Sequence, residues 1–454
     1  MGKGMGKGSI KIAENSGAHI LKVLEKLVDD QVGIIRQVQE LRKDAGSPDF
    51  VYMTAETCNL KALTPLQHHQ GAFIGSGTAA DRSKAMAKAV GEAVEHYCAA
   101  NYAIEDFPLT TFESASFPCV GPEEFALFSA AQYNRTNFPY RPFQRTMPMR
   151  WVPAFDLTTR NMRYVPAAMV FLPYHQMQLG ETPITQQIST GLACHSNPAI
   201  AALSAICEVI EREAIAITWQ ARLPRAQIRP DTLSPHLRTL LARLRRPGTY
   251  VALFHLAMDH GIPVIFAMMR DTSSEAPALV VAAASHLDPE QAVQKSLEEL
   301  AQIRSLNQRF KAEKSTFSAG RKWKHVVDSV AHAAVYYTQI NAHFADFLLK
   351  SRSRIALSDI PDLSTSDPDR DLHLLIGKIA TVKHNVLIVD VTSEDVRSLG
   401  LWVFRALIPG FHPLFIGHQV RALGGTRLWE VPQKLGYPGL RRERGDNPVP
   451  HPFA

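Results

Sequence analysis

Three stretches of the sequence carry acidic or polar residues three positions apart within an otherwise apolar, helix-like pattern. Residues at positions i and i+3 of a helix lie on one face, with Cβ atoms about 5–6 Å apart, so each pair can direct its oxygens toward one point. Converging carboxylates repel each other unless a cation lies between them, and Mg²⁺ commonly shares carboxylate and phosphate oxygens. The pairs are Glu92 with Glu95, Glu208 with Glu211, and Glu299 with Gln302.

Any one such pair is usually part of a solvated helix surface. Spacing alone does not decide between that interpretation and a metal–nucleotide site. Context favours the site, because apolar residues such as Val94 and Ile210 flank the glutamates closely. Ser204 and Arg212 accompany the second pair. Serine and arginine supply the donors that phosphate oxygens need.

Two glycine-containing strings precede two of these helices, Gly75-Ser76-Gly77-Thr78 and Ser189-Thr190-Gly191-Leu192. Glycine lets the backbone approach an anion at a helix N-terminus. Neither string matches a phosphate-binding loop or a dinucleotide fingerprint, so we interpret both as ordinary turns. His195 and His286 lie beside these segments and are interpreted as hydrogen-bonded structural histidines.

The C-terminal string from Asn447 to Ala454 has proline at every second position, at Pro448, Pro450 and Pro452. It cannot form a helix or a central strand, because alternate residues lack a backbone donor. We expect a stiff, extended segment that loses little entropy on docking. A frayed terminus is the ordinary alternative, and the sequence leaves both interpretations open.

The elements that must position these residues alternate between helices and short apolar runs, which predicts a mixed α/β (α+β) fold. Helices are predicted over Ser83–Ala100, Pro198–Trp219 and Pro289–Phe310. The predicted strands are Val32–Ile35, Tyr164–Leu172, Tyr250–Leu256, Pro263–Met269, Ala278–Ala284, Val386–Val391 and Leu401–Ile408. Loops are predicted at Ala312–Lys324 and Pro361–Leu372.

Composition excludes several classes of protein. The 454 residues are 46% hydrophobic and 20% charged, which permits a large core and argues against disorder. The net charge of +6 is spread along the chain, so no nucleic-acid partner is expected. Five cysteines without a C-x-x-C pair argue against a disulfide framework or a zinc site. With no apolar run long enough for a membrane span and no signal peptide, we expect a soluble, cytoplasmic protein with no membrane partner.

These strings resemble the YcaO family. Gly75–Tyr97, Ser189–Ala214 and His286–Arg304 are similar to its three helix motifs, and Asp390–Pro413 is similar to its C-terminal segment. The resemblance implies a lead-in at residues 1–26 and one domain at 27–454 that includes the Pro-rich tail, 445–454. It also implies a YcaO-type ATP-binding fold with several mixed sheets and with long helices that carry metal-binding glutamates.

The resemblance further implies ATP and Mg²⁺ as cofactors. The implied magnesium ligands are Glu92, Glu95, Glu208, Glu211 and Glu299. The implied nucleotide or phosphate contacts are Ser189, Ser204, Arg212, Gln302 and Arg304, and Lys88 is added to them by the hypothesis given below. The tail, with Pro448, Pro450 and Pro452, would place the Ala454 carboxylate to assist proton transfer.

The Pro-x-Pro-x-Pro tail is similar to that of the azoline-forming cyclodehydratases in particular. In that branch a Cys, Ser or Thr side chain of a ribosomally made precursor peptide attacks the preceding carbonyl, ATP phosphorylates its oxygen, and phosphate leaves to give thiazoline or oxazoline. The implied partners are the precursor peptide, a leader-binding subunit resembling ubiquitin-activating enzymes, and a flavin-dependent azoline dehydrogenase.

The sequence departs from the family pattern at three positions. Ser76 stands where lysine is usual, Lys88 where serine is usual, and His96 where arginine is usual. Our hypothesis is that Lys88 supplies the cation that Ser76 lacks. Two alternative functions remain open: thioamide formation, in relatives that generally lack the proline tail, and a catalytically idle scaffold subunit.

Overall fold

The long helices begin at side chains that cap them. The computed structural model describes residues 23, 26–43, 47–60, 71–313 and 317–453. Asp81 Oδ1 accepts the Lys84 amide at 2.9 Å before the first long helix, and Asn197 Oδ1 accepts the Ala199 amide at 2.8 Å before the second. These side chains satisfy backbone donors that a helix leaves free in its first turn.

The predicted helices are present with small shifts at their ends. In chain order the helices are α1 Arg82–Ala100, α2 Ala130–Tyr133, α3 Pro198–Gln220, α4 Pro235–Leu244, α5 Pro289–Glu313, α6 Ser329–Ala334, α7 Gln339–Ala342, α8 Asp346–Leu349, α9 Pro368–Thr381, α10 Glu394–Ser398 and α11 Arg427–Lys434. The strands are β1 Ile35–Glu40, β2 Val51–Thr57, β3 Ile74–Ala79, β4 Leu109–Thr110, β5 Met149–Asp156, β6 Asn161–Pro166, β7 Leu192–His195, β8 Ala226–Ile228, β9 Thr249–His255, β10 Val264–Asp271, β11 Leu279–Ser285, β12 Arg354–Ile355, β13 Leu387–Asp390 and β14 Trp402–Leu407.

The strands form three sheets, which confirms the mixed α/β class. One sheet has the order β1-β2-β3, the second β11-β10-β9-β8-β12, and the third β4-β5-β13-β14-β7 with β6 paired to β5. The only parallel pair among the described strands is β8 with β12, so one sheet rather than several is mixed. Helix α1 packs on β3, α5 packs on β11, and α3 lies between β14 and β11.

The fully apolar run predicted as a buried strand is confirmed as β11, in which every residue is buried. Such a strand, covered on both faces, needs helices on either side. Helices α3 and α5 provide that cover, so Glu208, Glu211 and Glu299 lie beside the core rather than on a free surface.

Several predicted boundaries were wrong. Strand β1 begins at Ile35, after an exposed bend that contains Val32. Strand β6 ends at Pro166, where the chain enters a 3₁₀ turn, Ala167–Met169. The loop predicted for Pro361–Leu372 contains the start of α9, because Asp367 caps that helix.

Local sequence also made predictions about cysteines, histidines and long apolar helices. All five cysteines are free. His195 Nδ1 accepts the Asn197 amide at 2.9 Å, and His286 Nδ1 accepts the Asp288 amide at 3.0 Å, so both are hydrogen-bonded structural histidines. Within the described ranges, no helix combines the length and the apolar character that a membrane span requires.

The string Gly75-Ser76-Gly77-Thr78 is a strand, not the turn that we predicted. It forms most of β3, which pairs with β2 and packs directly on α1. A Cβ at Gly75 would overlap the backbone of Ala89, and one at Gly77 would overlap the backbone of Ala85. The glycines are therefore required by the close approach of strand and helix, not by an unusual φ angle.

We expect Gly77→Ala to lower the free energy of unfolding by roughly 1–3 kcal/mol or more, because backbone atoms of α1 would have to move. Thermal or denaturant unfolding measures the effect. Gly377→Ala is the matched control: this position lies in α9 with open space around it and should gain about 1 kcal/mol of helix propensity. Equal effects of the two substitutions would contradict the packing argument.

Candidate functional site

The three long helices enclose a cavity of about 310 Å³, which we call the carboxylate cavity. Four of its lining side chains are predicted magnesium ligands and four more are charged or polar residues on the same helices. Its lining residues are Lys88, Glu92, Ser204, Cys207, Glu208, Glu211, Ala284, Ser285, Lys295, Glu299 and Gln302. The helix pairs identified by spacing therefore converge on one space.

The glutamates of α1 are held by backbone amides from two sheets. Glu92 Oε2 accepts the Ser76 amide of β3 at 2.7 Å, and Glu95 Oε1 accepts the Cys194 amide of β7 at 2.8 Å. Glu95 lines an adjoining cavity rather than the carboxylate cavity itself. Each of these two glutamates thus has one oxygen held by the backbone.

The glutamates of α3 are held in the same way and are also paired with a cation. Glu208 Oε2 accepts the Gly191 amide at 3.0 Å, and Glu211 Oε2 accepts the Ser285 amide of β11 at 3.3 Å. Arg212 bonds to both carboxylates, at 3.1 Å to Glu208 Oε1 and through a second nitrogen to Glu211 Oε1. One guanidinium therefore offsets two of the buried charges.

Burial and mutual repulsion act on the other carboxylates. Burial, with smaller contributions from the charges of Glu208 and Glu92, raises the pKa of Glu299 to about 7. Burial also raises the pKa of Glu92, and it raises that of Glu95 well above its usual range with the Glu208 charge as the next cause. These shifts show that the cavity disfavours additional negative charge and would accept a positive one.

The three departures from the family pattern have defined positions. Ser76 Oγ accepts a hydrogen bond from Gln302 Nε2 at 2.8 Å, which links β3 to α5. Lys88 donates to Glu298 Oε2 at 2.5 Å and to the Thr78 carbonyl at 3.0 Å, and it lines the carboxylate cavity. His96 stacks on Phe73 with ring centroids 5.5 Å apart.

Two predicted phosphate contacts lie elsewhere. Arg304 is on another face of α5, where it pairs with Asp271 at 3.4 Å and lines a separate cavity of about 230 Å³. Ser189 is exposed in the predicted turn, where its carbonyl accepts the Leu192 amide at 3.1 Å. That turn contributes to the site through the Gly191 amide, which donates to Glu208, and not through the Ser189 hydroxyl.

Sequence reasoning missed Lys295 and Glu298. Lys295 lines the carboxylate cavity, and burial lowers the pKa of its ammonium group. It stands four residues before Glu299 on α5, so extending the helical spacing by one turn would have found it. Glu298 is the buried partner of Lys88, a pairing across 210 residues that spacing cannot indicate.

The proline tail docks into the protein, as the extended-segment prediction anticipated, and forms no helix or strand between Asn447 and Phe453. Trp219 Nε1 donates to the Val449 carbonyl at 2.9 Å, and Tyr336 donates to the Pro450 carbonyl. Pro450 and Pro452 are buried, whereas Pro448 is exposed.

Uncharged histidines surround the docked tail. His332 Nδ1 is 2.9 Å from the His451 carbonyl, and the two rings stack with centroids 3.9 Å apart. Burial lowers the pKa of His451 to about 4 and that of His418 to about 3. At neutral pH the tail is therefore packed without charge on these rings.

The docked tail reaches the carboxylate cluster at Arg212. The Phe453 ring lies 4.8 Å from the Arg212 guanidinium carbon, in cation–π contact. Ala454 lies outside the described residues. The tail thus contacts the residue that pairs with Glu208 and Glu211 of α3.

A second, more apolar cavity of about 340 Å³ adjoins the first. Lys88 and Ser204 line both. Its apolar lining includes Leu27, Val90 and Leu401. Charged and apolar binding surfaces are therefore contiguous, which suits a ligand with one anionic and one flat apolar part.

Across the described residues, no three histidine, cysteine, aspartate or glutamate side chains stand close enough together to hold a metal ion. The glutamates instead face the cavity from its different walls, with oxygens bonded to backbone amides or Arg212. The donor set is nevertheless all oxygen, with raised pKa values at Glu92 and Glu299, and this chemistry fits Mg²⁺.

A protein-family model matches residues 76–412 of the chain, and its description is YcaO cyclodehydratase, ATP- and Mg²⁺-binding. The match covers all of the glutamates described above.

Solved structures share the fold. A heterocyclase in complex with substrate and cofactor superposes with a TM-score of 0.79 and 22% identity, over 96% of this chain and 57% of that one, so the chain spans just over half of its length. YcaO from Methanopyrus kandleri, bound with AMPPCP and Mg²⁺, gives a TM-score of 0.63 and 20% identity over 87% of this chain and 90% of that one. The E. coli microcin synthetase McbBCD complex gives 0.58 and 14%, over 82% and 88%.

With a chelator present, we expect the Glu299→Gln variant to become more stable relative to the unmodified chain as the pH rises. The pKa of Glu299 is raised from 4.5 to about 7, so between these values the folded chain retains a proton that the unfolded chain releases. The stability of the unmodified chain therefore falls through that window, whereas glutamine does not titrate. Melting temperatures of both proteins measured across this pH range provide the test, and a difference independent of pH would contradict it.

Proposed function

The chain belongs to the YcaO family of ATP- and Mg²⁺-binding cyclodehydratases, and we propose that it is the subunit that converts Cys, Ser or Thr residues of a precursor peptide into azolines. The observation that carries this proposal is the docked tail, whose Phe453 stacks on Arg212 beside Glu208 and Glu211. The tail resembles that of the azoline-forming branch, and it contacts the cluster that would hold the nucleotide.

The proposed nucleotide site spans the two adjoining cavities. Glu92, Glu208, Glu211 and Glu299 would share Mg²⁺ with the phosphates of the nucleotide in the carboxylate cavity, with Glu95 at its border with the second cavity. Lys88, Ser204 and Gln302 from the cavity wall, and Arg212 beside Glu208 and Glu211, would donate to the phosphates, and the apolar cavity would take the base. Ser189 and Arg304 have no part in this site.

In the proposed reaction the nucleophilic side chain adds to the preceding peptide carbonyl. ATP supplies the phosphoryl group, and Mg²⁺ offsets its negative charge. Arg212 and Lys88 orient the phosphates and stabilise the charge that develops during transfer. Release of phosphate and of the amide proton leaves the C=N bond of the azoline.

The proposed partners are the precursor peptide, a leader-binding subunit resembling ubiquitin-activating enzymes, and a flavin-dependent dehydrogenase. The multi-subunit architecture of the E. coli microcin synthetase supports a division of labour of this kind. Genes adjacent to the one encoding this chain are the source of candidates, and the precursor should be rich in Cys, Ser, Thr and Gly.

Removing only Phe453 and Ala454 should abolish azoline formation and largely preserve ATP binding, because Pro450 and His451 would keep the rest of the tail docked. Mass spectrometry of the precursor detects one lost water per azoline, and calorimetry measures ATP binding. Arg441→Ala, at an exposed position before the tail, is the control. Full activity after truncation would contradict the role of the tail, and a gain of sulfur for oxygen would favour thioamide formation.

Lys88→Gln should raise KM for ATP roughly tenfold or more, because a hydrogen bond to a charged group contributes about 1.5–3 kcal/mol. The effect tests whether Lys88 replaces the lysine absent at Ser76. Lys84→Gln, one turn earlier on α1 and exposed, is the matched control. An unchanged KM in the Lys88 variant would reject the replacement hypothesis.

A further inference from the structure

Arg405 of β14 is a buried cation with unused hydrogen-bond donors. Arg405 is 5% exposed, and its Nη2 donates to the Ile188 carbonyl at 2.8 Å. Nε and Nη1 have no hydrogen-bond partner among the residues that the structure describes. Burial lowers the pKa of Arg405 to about 10, so the guanidinium is still charged at neutral pH.

A second buried arginine shows what a structural role requires. Arg427 is 3% exposed, and it donates to Glu213 at 2.6 Å and to Asp259 at 2.7 Å. Leaving buried donors unpaired costs free energy that folding alone does not recover. The incomplete bonding of Arg405 therefore points to a ligand rather than to a structural role.

Arg405 lines a cavity of about 130 Å³ along a neighbouring face of α3, because Val209 and Arg212 lie about 100° around the helix from Glu208 and Glu211. Val209 and Arg212 of α3 line it too, so Arg212 contacts the glutamates of one cavity and borders the other. Most of the remaining walls are apolar, with Phe171 and Ile408 among them. Such walls suit an uncharged group whose oxygen becomes negative during reaction better than they suit a triphosphate.

We propose that this cavity is the acceptor site for the substrate peptide and that Arg405, with Arg212, binds the backbone carbonyl oxygen that is activated. The proposal rests on the proposed function and adds to it the place of the second reactant. The peptide and the nucleotide would then lie along adjoining faces of α3, with Arg212 at the border between them.

The bonding changes balance at this position. The Cys, Ser or Thr side chain forms a bond to the carbonyl carbon and loses its proton to solvent, while the π electron pair moves to the oxygen beside Arg405. That oxygen takes the γ-phosphoryl group of ATP, and ADP leaves. The carbon–oxygen bond then breaks with release of phosphate, and the amide nitrogen loses its proton as the C=N bond forms.

The kinetic test uses Arg405→Met and Arg405→Lys in the full chain with its partner subunit and precursor peptide. We expect unchanged ATP affinity, a melting temperature that is unchanged or higher, and a loss of kcat for azoline formation of about 100-fold, the usual cost of removing a donor to a developing oxyanion. Arg397→Met, an exposed ion-pair residue of α10, is the control. If the methionine variant does not fold, the lysine variant, which retains the charge but not the planar fork, should show the same loss.

The two proposals fail in different ways. Wild-type kcat and peptide KM in both Arg405 variants, while the unmodified chain forms azolines, would overturn the acceptor site alone. An equal loss of ATP affinity would assign Arg405 to the phosphates and overturn it as well. An unmodified chain that leaves the peptide mass unchanged would instead overturn the proposed function.

A crosslinking experiment tests the site without turnover. The probe is the precursor peptide with photo-leucine in place of the residue before its first Cys, Ser or Thr. We expect crosslinks at Val209 and Ile408, identified by peptide mapping, and their loss in Arg405→Met. Crosslinks confined to other surfaces would overturn the acceptor site whatever the reaction proves to be.

Discussion

The structure depends on one repeated interaction, a backbone N–H donated to a buried glutamate. Burying a carboxylate is costly, and burying several together adds repulsion, so each needs a donor that is fixed in place. Each of the three sheets supplies one: Ser76 of β3 to Glu92, Cys194 of β7 to Glu95, and Ser285 of β11. The sheets must therefore converge where the glutamates do, and the positions of the helices follow from that requirement.

This requirement explains where small residues occur. Helix α1 can bring Glu92 to the Ser76 amide only if β3 lies directly against it, and Gly75 and Gly77 permit that distance. Gly191 has φ +90°, a conformation that favours glycine, and its amide reaches Glu208 from the turn before β7. The glycines thus allow backbone amides to reach the carboxylates, and neither string has the form of a phosphate-binding loop.

Much of the fold, and the side chains on about half of the site's walls, could be predicted from periodicity. The helices and the convergence of their glutamates followed from three- and four-residue spacing. The same rule argues against Arg304, because five residues beyond Glu299 is about 140° around the helix, away from the cavity. Strand β3 was misassigned because glycine lowers strand propensity. The two glycines are needed there because β3 packs against the backbone of α1, which the local sequence does not reveal. The pairing of Lys88 with Glu298 joins distant parts of the chain, which local patterns cannot indicate. The proline pattern predicted an extended tail, but the contacts that dock it come from Trp219 and Tyr336, far away in the sequence.

Helix α3 has a different role on each of two faces. Ser204, Glu208 and Glu211 line the carboxylate cavity, whereas Val209 and Arg212 border the smaller one. Arg212 pairs with Glu208 and Glu211, lines the smaller cavity and stacks on Phe453. Because one guanidinium joins the two cavities and the tail, displacement of the tail would change the environment of both cavities.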